Sequence, residues 1–348
     1  MIDVFVEDVA FGGRGVARHE GKAVFIPFTI DGERVNARIT RNKKNFAEGV
    51  LEKVIERSPH RVAPVCPYFQ KCGGCSYQHI AYEHQLEIKE RQVGQTLRRV
   101  GNLQHVPVHP IIPSPKYYAY RNRVRVHANN GVVGFYALES HDLVDIESCP
   151  IASREVNDAL VRLRGKSLLD GDYNAAENNG GKFFEQTNQA VASKMLDLVG
   201  TLVKQGQGLL VDAYCGAGFF AKHLRSHFKG VVGIEENELA VDCARRDALQ
   251  HENYIFGPVE IHLPHTLAEA EGALTTLILD PPATGLTSRV IDQILVSMPV
   301  EIIYVSCNPA TLARDLRHLG TAYGLLSVSP LDMFPQTAEI ECVAHLRK

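Results

Sequence analysis

The hydrophobic pattern changes its period along the chain. Over residues 1 to 58, short apolar runs alternate with glycine and charge: Phe11-Gly12-Gly13-Arg14-Gly15-Val16-Ala17-Arg18, then Ala23-Val24-Phe25-Ile26-Pro27, then Gly32-Glu33-Arg34-Val35. Short strands between glycine-containing turns predict a small β-barrel. From His79 to Val100 the period lengthens: Leu86, Ile88, Val93, Leu97 and Val100 recur at roughly helical spacing, with Lys89, Arg91, Arg98 and Arg99 between them. That predicts a basic amphipathic helix. Tyr117 to Val126 alternates again and puts Arg121, Arg123 and Arg125 on one face of a predicted strand.

The last third reads as helices alternating with wholly apolar strands. A helix is expected from Gln189 to Val199, a strand over Gly208-Leu209-Leu210-Val211-Asp212, and a helix from Phe219 to about Phe228. Val231-Val232-Gly233-Ile234-Glu235, Thr275 to Asp280 and Ile302-Ile303-Tyr304-Val305 are further strands that stop abruptly at polar residues. This order predicts an open α/β sheet, in which ligands bind outside the carboxyl ends of the strands. The Tyr214-Cys215-Gly216-Ala217-Gly218 loop follows the first strand, and glycine there lets backbone approach a ligand closely. Glu235, 23 positions after Asp212, sets a carboxylate at the tip of the second strand, where it can accept ribose hydroxyls. A dinucleotide site shares that acid but reads G-x-G-x-x-G, whereas Gly218 here is followed by Phe219-Phe220-Ala221.

Composition narrows the class. With 348 residues, 45% hydrophobic and 22% charged, the chain can bury ordinary cores and form two or three domains. No apolar run approaches the roughly 20 residues of a membrane span, and no signal-like segment opens the chain, so a cytoplasmic protein with no membrane partner is expected. The net charge of -3 conceals an asymmetry: residues 61 to 130 hold 10 Lys/Arg against 3 Asp/Glu, while residues 131 to 348 hold 17 against 28. A basic segment on an acidic chain suits a polyanion, and Arg41, Lys43 and Lys44 are candidate phosphate contacts.

Eight cysteines in such a protein point to ligation or catalysis. Cys66, Cys72 and Cys75 form a C-x5-C-x2-C run, with a fourth thiol at Cys149 in Glu147-Ser148-Cys149-Pro150. Four thiolates can hold an iron–sulfur cluster or a structural zinc, and the spacing does not choose between them. Cys307, in Val305-Ser306-Cys307-Asn308-Pro309, falls at a strand's carboxyl edge, where a thiol can meet a substrate.

The D-x-Y-x-G-x-G loop, Leu279-Asp280-Pro281-Pro282, the Ser306-Cys307-Asn308-Pro309 segment and Met333 to Glu341 resemble, in order and spacing, the RNA uracil-5-methyltransferases, and the resemblance covers nearly the whole chain. It implies a Rossmann-like methyltransferase domain over 183–348 that uses S-adenosyl-L-methionine, a TRAM-like RNA-binding barrel over 1–58, and a central domain over 59–182 whose Cys66, Cys72, Cys75 and Cys149 hold a structural 4Fe-4S cluster. It further implies donor contacts from Gln186, Tyr214, Glu235 and Asp280, with Cys307 as nucleophile and Glu341 as base. The substrate implied is a uridine of structured RNA, in 23S rRNA first and tRNA as the alternative, and no protein partner is implied. A cytosine-5-methyltransferase and a non-catalytic RNA-binding protein are the rival readings. Three positions depart from the family pattern: Ala283 stands where Arg is common, and Gln336 and Glu339 replace two histidines.

Overall fold

The computed structural model of the chain describes residues 1–177, 186–203, 208–270 and 274–348. They belong to two units: Met1–Gln92, Pro115–Gly180 and Phe334–Glu339 in the first, and Val93–Ser114, Gly181–Met333 and Ile340–Lys348 in the second. The expected boundary between residues 182 and 183, with Phe183, Phe184 and Glu185, lies outside the described residues.

In the first unit the alternation near the N-terminus closes into a barrel of five strands, β1 (Ile2–Val9), β2 (Arg14–His19), β3 (Lys22–Pro27), β4 (Arg34–Asn42) and β5 (Phe46–Glu56), ordered β1-β2-β3-β5-β4. Val6, Ala17, Ile26, Val35 and Ala37 point inward and are fully buried, while Arg34, Arg38 and Arg41 pair outside with Asp3, Glu52 and Glu48. Helix α1 (Tyr82–Arg99) follows, and its Ile88 packs with Val9, Ile30, Tyr77 and Ile80. Its expected basic face is largely internal. Lys89 is buried and donates to the Phe334 carbonyl at 3.0 Å, and Arg91 is paired with Asp8 and Asp31, so only Arg98 and Arg99 of the four face solvent.

A second sheet of this unit contains β6 (Arg123–Asn129), β7 (Val132–Tyr136), β8 (Leu143–Asp145) and β9 (Gly171–Ala176) in the order β8-β7-β6-β9. Helix α2 (Arg154–Arg164), capped by Ser153, covers it with Val156 and Leu160 against Val126 and Ala175. The strand expected from Tyr117 begins only at Arg123. Ala119 adopts φ 49°, and the amides of Ala119, Tyr120 and Arg121 bond to the carbonyls of Pro150 and Ile151 instead of to a sheet neighbour.

The second unit is the open sheet. Its strands are β10 (Leu209–Ala213), β11 (Gly230–Glu235), β12 (Glu252–Phe256), β13 (Thr275–Leu279), β14 (Glu301–Ser306), β15 (Gly324–Leu331) and β16 (Glu341–Arg347), in the order β12-β11-β10-β13-β14-β16-β15. β10 to β14 pair in parallel, and β16 runs antiparallel to both β14 and β15. Helices α3 (Gln189–Leu202), α4 (Phe219–Leu224), α5 (Glu238–Arg245), α6 (Val259–Glu269), α7 (Ser288–Ser297) and α8 (Pro309–Leu319) connect and cover the strands, and from Val93 onward α1 contributes Val93 and Leu97 to the same core. Every residue of β13 and β14 is buried, which is why these strands read as unbroken apolar runs. Each large aliphatic side chain so covered contributes roughly 1.5–3 kcal/mol relative to exposure. The strand order reverses beside β10, so the loops after β10 and β13 stand at the switch point, where such sheets bind ligands. Among the described residues no helix is long and apolar enough to cross a membrane.

Candidate active site

The loop after β10 is built to bring backbone to a ligand. Tyr214 is held at φ 67°, followed by Gly216 at φ 54° and Gly218 at φ 86°, and the Tyr214 and Cys215 amides bond to the Ile234 carbonyl at 2.9 and 3.1 Å. A side chain at Gly216 would meet no atom within 4 Å, so open space lies beside the loop. At Gly233 the situation is reversed. A Cβ there would lie 2.5 Å from the Tyr254 ring, so glycine is what lets β11 lie under that ring.

Glu235 ends β11 and accepts the amides of Gly216 at 2.9 Å and Asn237 at 2.8 Å, which fixes its carboxylate at the loop. Asp212 is fully buried. Its Oδ2 accepts the Ala221 amide at 2.9 Å, and its Oδ1 has no hydrogen-bond partner among the described residues. Burial, then the charges of Asp280 and Glu235, push the Asp212 carboxyl up to about 8. Burial and Glu235 push Asp280 in the same direction. Three carboxyl groups thus share one sheet edge in which negative charge is under-solvated, a setting that favours a cationic ligand. Gln186 lies two residues before Asn188, which caps α3 and donates to Ser114 Oγ at 3.0 Å and to the Met333 carbonyl at 3.3 Å. Gln186 is partly exposed.

Cys307 follows β14 directly, partly exposed, and precedes Asn308, the cap of α8. Ser306 Oγ bonds to the Asn308 backbone in both directions, donating to its carbonyl at 3.1 Å and accepting its amide at 3.2 Å, which tightens the turn beneath the thiol. Asn308 Oδ1 accepts the Ala310 amide at 3.0 Å, while its Nδ2 donates to the Ala283 carbonyl at 3.1 Å. Thr311 Oγ1 donates to the same carbonyl at 3.1 Å, and Arg314 and Asp315 hold Thr284 and Leu286. The start of α8 therefore fastens the segment after Asp280-Pro281-Pro282. Asp280 itself is tied to β10 through its amide and the Ala213 carbonyl at 3.3 Å.

Glu341 opens β16 and is 4% exposed. The β14–β16 ladder ends with Ser306 opposite Cys342, so Cys307, the residue after the end of β14, and Glu341, the first residue of β16, flank the last pair. The neighbouring Cys342 responds to both residues: burial, then Glu341, then Cys307 raise its thiol well above the usual range. Of the two departures near Glu341, Glu339 faces solvent, and Gln336 is a buried clamp whose Oε1, amide and carbonyl engage Gln85, Ser76 and Tyr77.

In the first unit Cys66, Cys72, Cys75 and Cys149 line one cavity of about 400 Å3, together with Gln78, Arg121, Tyr136 and others. Among the described residues no disulfide joins any of the eight cysteines. Among the described residues no three His, Cys, Asp or Glu side chains are placed to hold a single metal ion. Burial raises the thiols of Cys72, Cys75 and Cys149, that of Cys75 up to about 12, and the Gln78 amide acts against this at Cys75. Arg121 and Arg125 both line this cavity, but Arg125 is exposed whereas Arg121 is half-buried with its guanidinium 5.8 Å over Phe334, so the two do not form the open face that the alternation suggested.

Comparison with known proteins bears on the barrel and on the open sheet. Residues 1–51 match the family model of the TRAM domain, and residues 167–255 and 267–348 match that of tRNA (uracil-5-)-methyltransferases. A Bdellovibrio bacteriovorus protein named as an uncharacterized RNA methyltransferase is 33% identical over 99% of this chain and 95% of its own length. A Bacillus cereus protein of the same description is 31% identical over 100% and 97%. The chain belongs to the RNA uracil-5-methyltransferase family. Among solved structures, the tRNA (uracil-54, C5)-methyltransferase of Pyrococcus abyssi, in complex with S-adenosyl-L-homocysteine, aligns with a TM-score of 0.74 and 25% identity, covering 99% of this chain and 100% of the other. This RNA (uracil-5-)-methyltransferase takes its methyl group from S-adenosyl-L-methionine. The loop after β10 fits that donor: space beside Gly216, a fixed acid at Glu235 and an unsatisfied Asp212 oxygen suit a ribose and a cationic sulfonium.

Sequence reading missed the links from Asn308 and Thr311 to Ala283. An Asn before Pro at a helix start does announce a cap, but nothing local shows where its second polar atom goes.

Proposed function

We propose that the enzyme methylates C5 of a uridine in structured RNA through a covalent adduct, with Cys307 as nucleophile and Glu341 as base. The observation that supports it most strongly is that Cys307 and Glu341 flank the last β14–β16 pair, Ser306 and Cys342, and both act on the Cys342 thiol, at the sheet edge that carries Asp280. Uracil C5 is a weak nucleophile. Addition of the Cys307 thiolate to C6 pushes electron density to C5, so one difficult step becomes two easier ones. The bound donor supplies the methyl group that C5 accepts. Glu341 then removes the C5 proton, the C5–C6 double bond re-forms and the Cys307–C6 bond breaks, with the electron pair returning to sulfur. Gln186, Tyr214, Glu235 and Asp280 hold the donor in this reading.

The substrate proposal is a tRNA uridine, supported by the whole-length likeness to the Pyrococcus abyssi tRNA (uracil-54, C5)-methyltransferase. The 23S rRNA implied by the sequence resemblance is the second reading. Work is divided among a TRAM barrel over 1–58, a central module over 59–182 and a catalytic domain over 183–348, in the cytoplasm where such RNA is available. Mass analysis of tRNA and rRNA nucleosides from a deletion strain tests all of this. Loss of 5-methyluridine from one RNA is expected, whereas loss of 5-methylcytidine, or of no methyl group, would refute the reading.

We also propose that Cys66, Cys72, Cys75 and Cys149 hold a structural 4Fe-4S cluster. A single zinc ion draws four sulfurs to roughly 2.3 Å from one point. Four thiols spread around a cavity of about 400 Å3, with no single-ion site among the described residues, better suit a body several atoms across that offers each thiolate its own iron. Arg121 would offset part of the negative charge of such a cluster.

A further inference from the structure

Among the described residues, two buried nitrogen donors on the wall of the thiol cavity have no oxygen or nitrogen acceptor. Gln78 is 1% exposed, and its Oε1 accepts the Cys66 amide at 3.0 Å, which fixes the side chain against the first thiol. Its Nε2 is buried with no well-formed hydrogen bond among the described residues and with the Cys75 thiol as the group it acts on, and Arg121 Nε is buried without a hydrogen-bond partner among them. Both residues line the cavity. The Arg121 backbone is held to the Cys149 turn: its amide donates to the Ile151 carbonyl at 2.9 Å, its carbonyl accepts the Ser153 amide at 2.9 Å, and Ala152 bonds back to Cys149 at 3.0 Å. Its guanidinium is packed over Phe334. Neither donor is therefore a loose surface group. Buried N–H groups are nearly always satisfied, so two orphans beside four thiols point to an acceptor that belongs in the cavity.

We propose that Gln78 Nε2 and Arg121 Nε donate hydrogen bonds to sulfur atoms of the cluster, which makes them positioning residues that bias it toward its reduced form. The inference rests on the cluster reading above. Hydrogen bonds to cluster sulfur favour the more negatively charged state, and they are among the levers by which a protein sets such a potential. A bond of ordinary strength at each site corresponds to about a tenfold change in the ratio of reduced to oxidised cluster at a fixed potential, or about 59 mV for one electron.

The test uses full-length protein purified without oxygen, assayed for iron and acid-labile sulfide, then titrated with dithionite and followed by electron paramagnetic resonance. Gln78→Leu and Arg121→Met should each lower the reduced-to-oxidised ratio about tenfold. Leu138→Ala, which alters the same wall without removing a donor, should leave it unchanged. Resonance Raman spectra of the wild-type protein in H2O and D2O supply a readout that needs no variant: iron–sulfur stretching bands should shift on exchange. Iron and sulfide absent from the wild type would refute the cluster reading itself. A cluster present, with the wild-type ratio in both variants and bands indifferent to D2O, would overturn this inference and leave that reading standing. Where a variant loses its cluster, the deuterium shift decides.

Discussion

The Asn308 side chain joins the Ala283 carbonyl, 3.1 Å from its Nδ2, to the turn that carries Cys307. One residue thus caps α8 and fixes the distance between the nucleophile's turn and the segment following Asp280. The two duties can be separated. Asn308→Ala removes both and should cost about 1 kcal/mol of stability as well as activity. Asn308→Ser keeps a capping oxygen but cannot reach as a donor, so its Tm should stay near wild type while kcat falls about tenfold, because misplacement of a reacting group is costly. Thermal melts and steady-state methylation of RNA check this, and equal kcat in the Ser variant and the wild type would show that the link has no part in positioning.

Cys307→Ala should abolish methylation and give no covalent RNA complex. Glu341→Gln should permit addition and methyl transfer but stall before elimination, leaving methylated RNA attached to the protein. Denaturing gels with labelled RNA and labelled donor distinguish the two. Release of methylated RNA from the Glu341 variant at the wild-type rate would hand the proton to another group.

Asp212 gives the donor-free protein a pH dependence. Its folded carboxyl titrates at about 8 and its unfolded one near 4, so between these values the folded state holds a proton that the unfolded state has lost. Stability is therefore greatest below the unfolded value, declines as pH rises through this window, and levels off once the folded carboxyl has ionised. Asp212→Asn should flatten the decline in Tm between pH 5 and 8, an interval chosen to fall within that window. An unchanged slope would show that Asp212 is ionised in the folded protein at pH 5.

Affinity for RNA should fall steeply with salt, with a slope that counts neutralised phosphates. Arg125, Lys43 and Lys44 are exposed, whereas Arg121 is half-buried with its guanidinium over Phe334. Replacing the exposed three by Ala should reduce the slope by up to about 3, and Arg121→Ala should leave it nearly unaltered. Filter binding across a salt series measures both, and a larger change from Arg121 than from the exposed residues would reverse the assignment.

The parts of the fold that could be read from the chain are those fixed by local period and by strand ends. The barrel, the helix at residues 82–99 and the strands ending at Ala213, Glu235, Leu279 and Ser306 all carry their burial pattern in consecutive residues. What escaped reading depends on distant partners. Lys89 is a basic residue by type, yet the Phe334 carbonyl, 245 positions away in sequence, draws it inside. Arg121 falls in phase with Arg125, but the left-handed turn at Ala119 and the pairing with Ile151 break the strand before it. That Cys307 and Glu341 flank one strand pair required the reversed strand β16 to slot between β14 and β15, and no local pattern announces that insertion.

The segment Phe334–Glu339 belongs to the first unit, although the strands on either side of it belong to the second. Gln85 waits for its clamp partner Gln336 across 251 positions of sequence, and Lys89 waits for Phe334 across 245. At a synthesis rate of about 5–20 residues per second, that interval is on the order of tens of seconds. During it the α1 face carries Gln85 and Lys89 before Gln336 and Phe334 exist, and the links to them form only after residue 336 has been made. A chain truncated just before residue 334 would lose more than its final strand, because its earliest-made half would also remain unfinished.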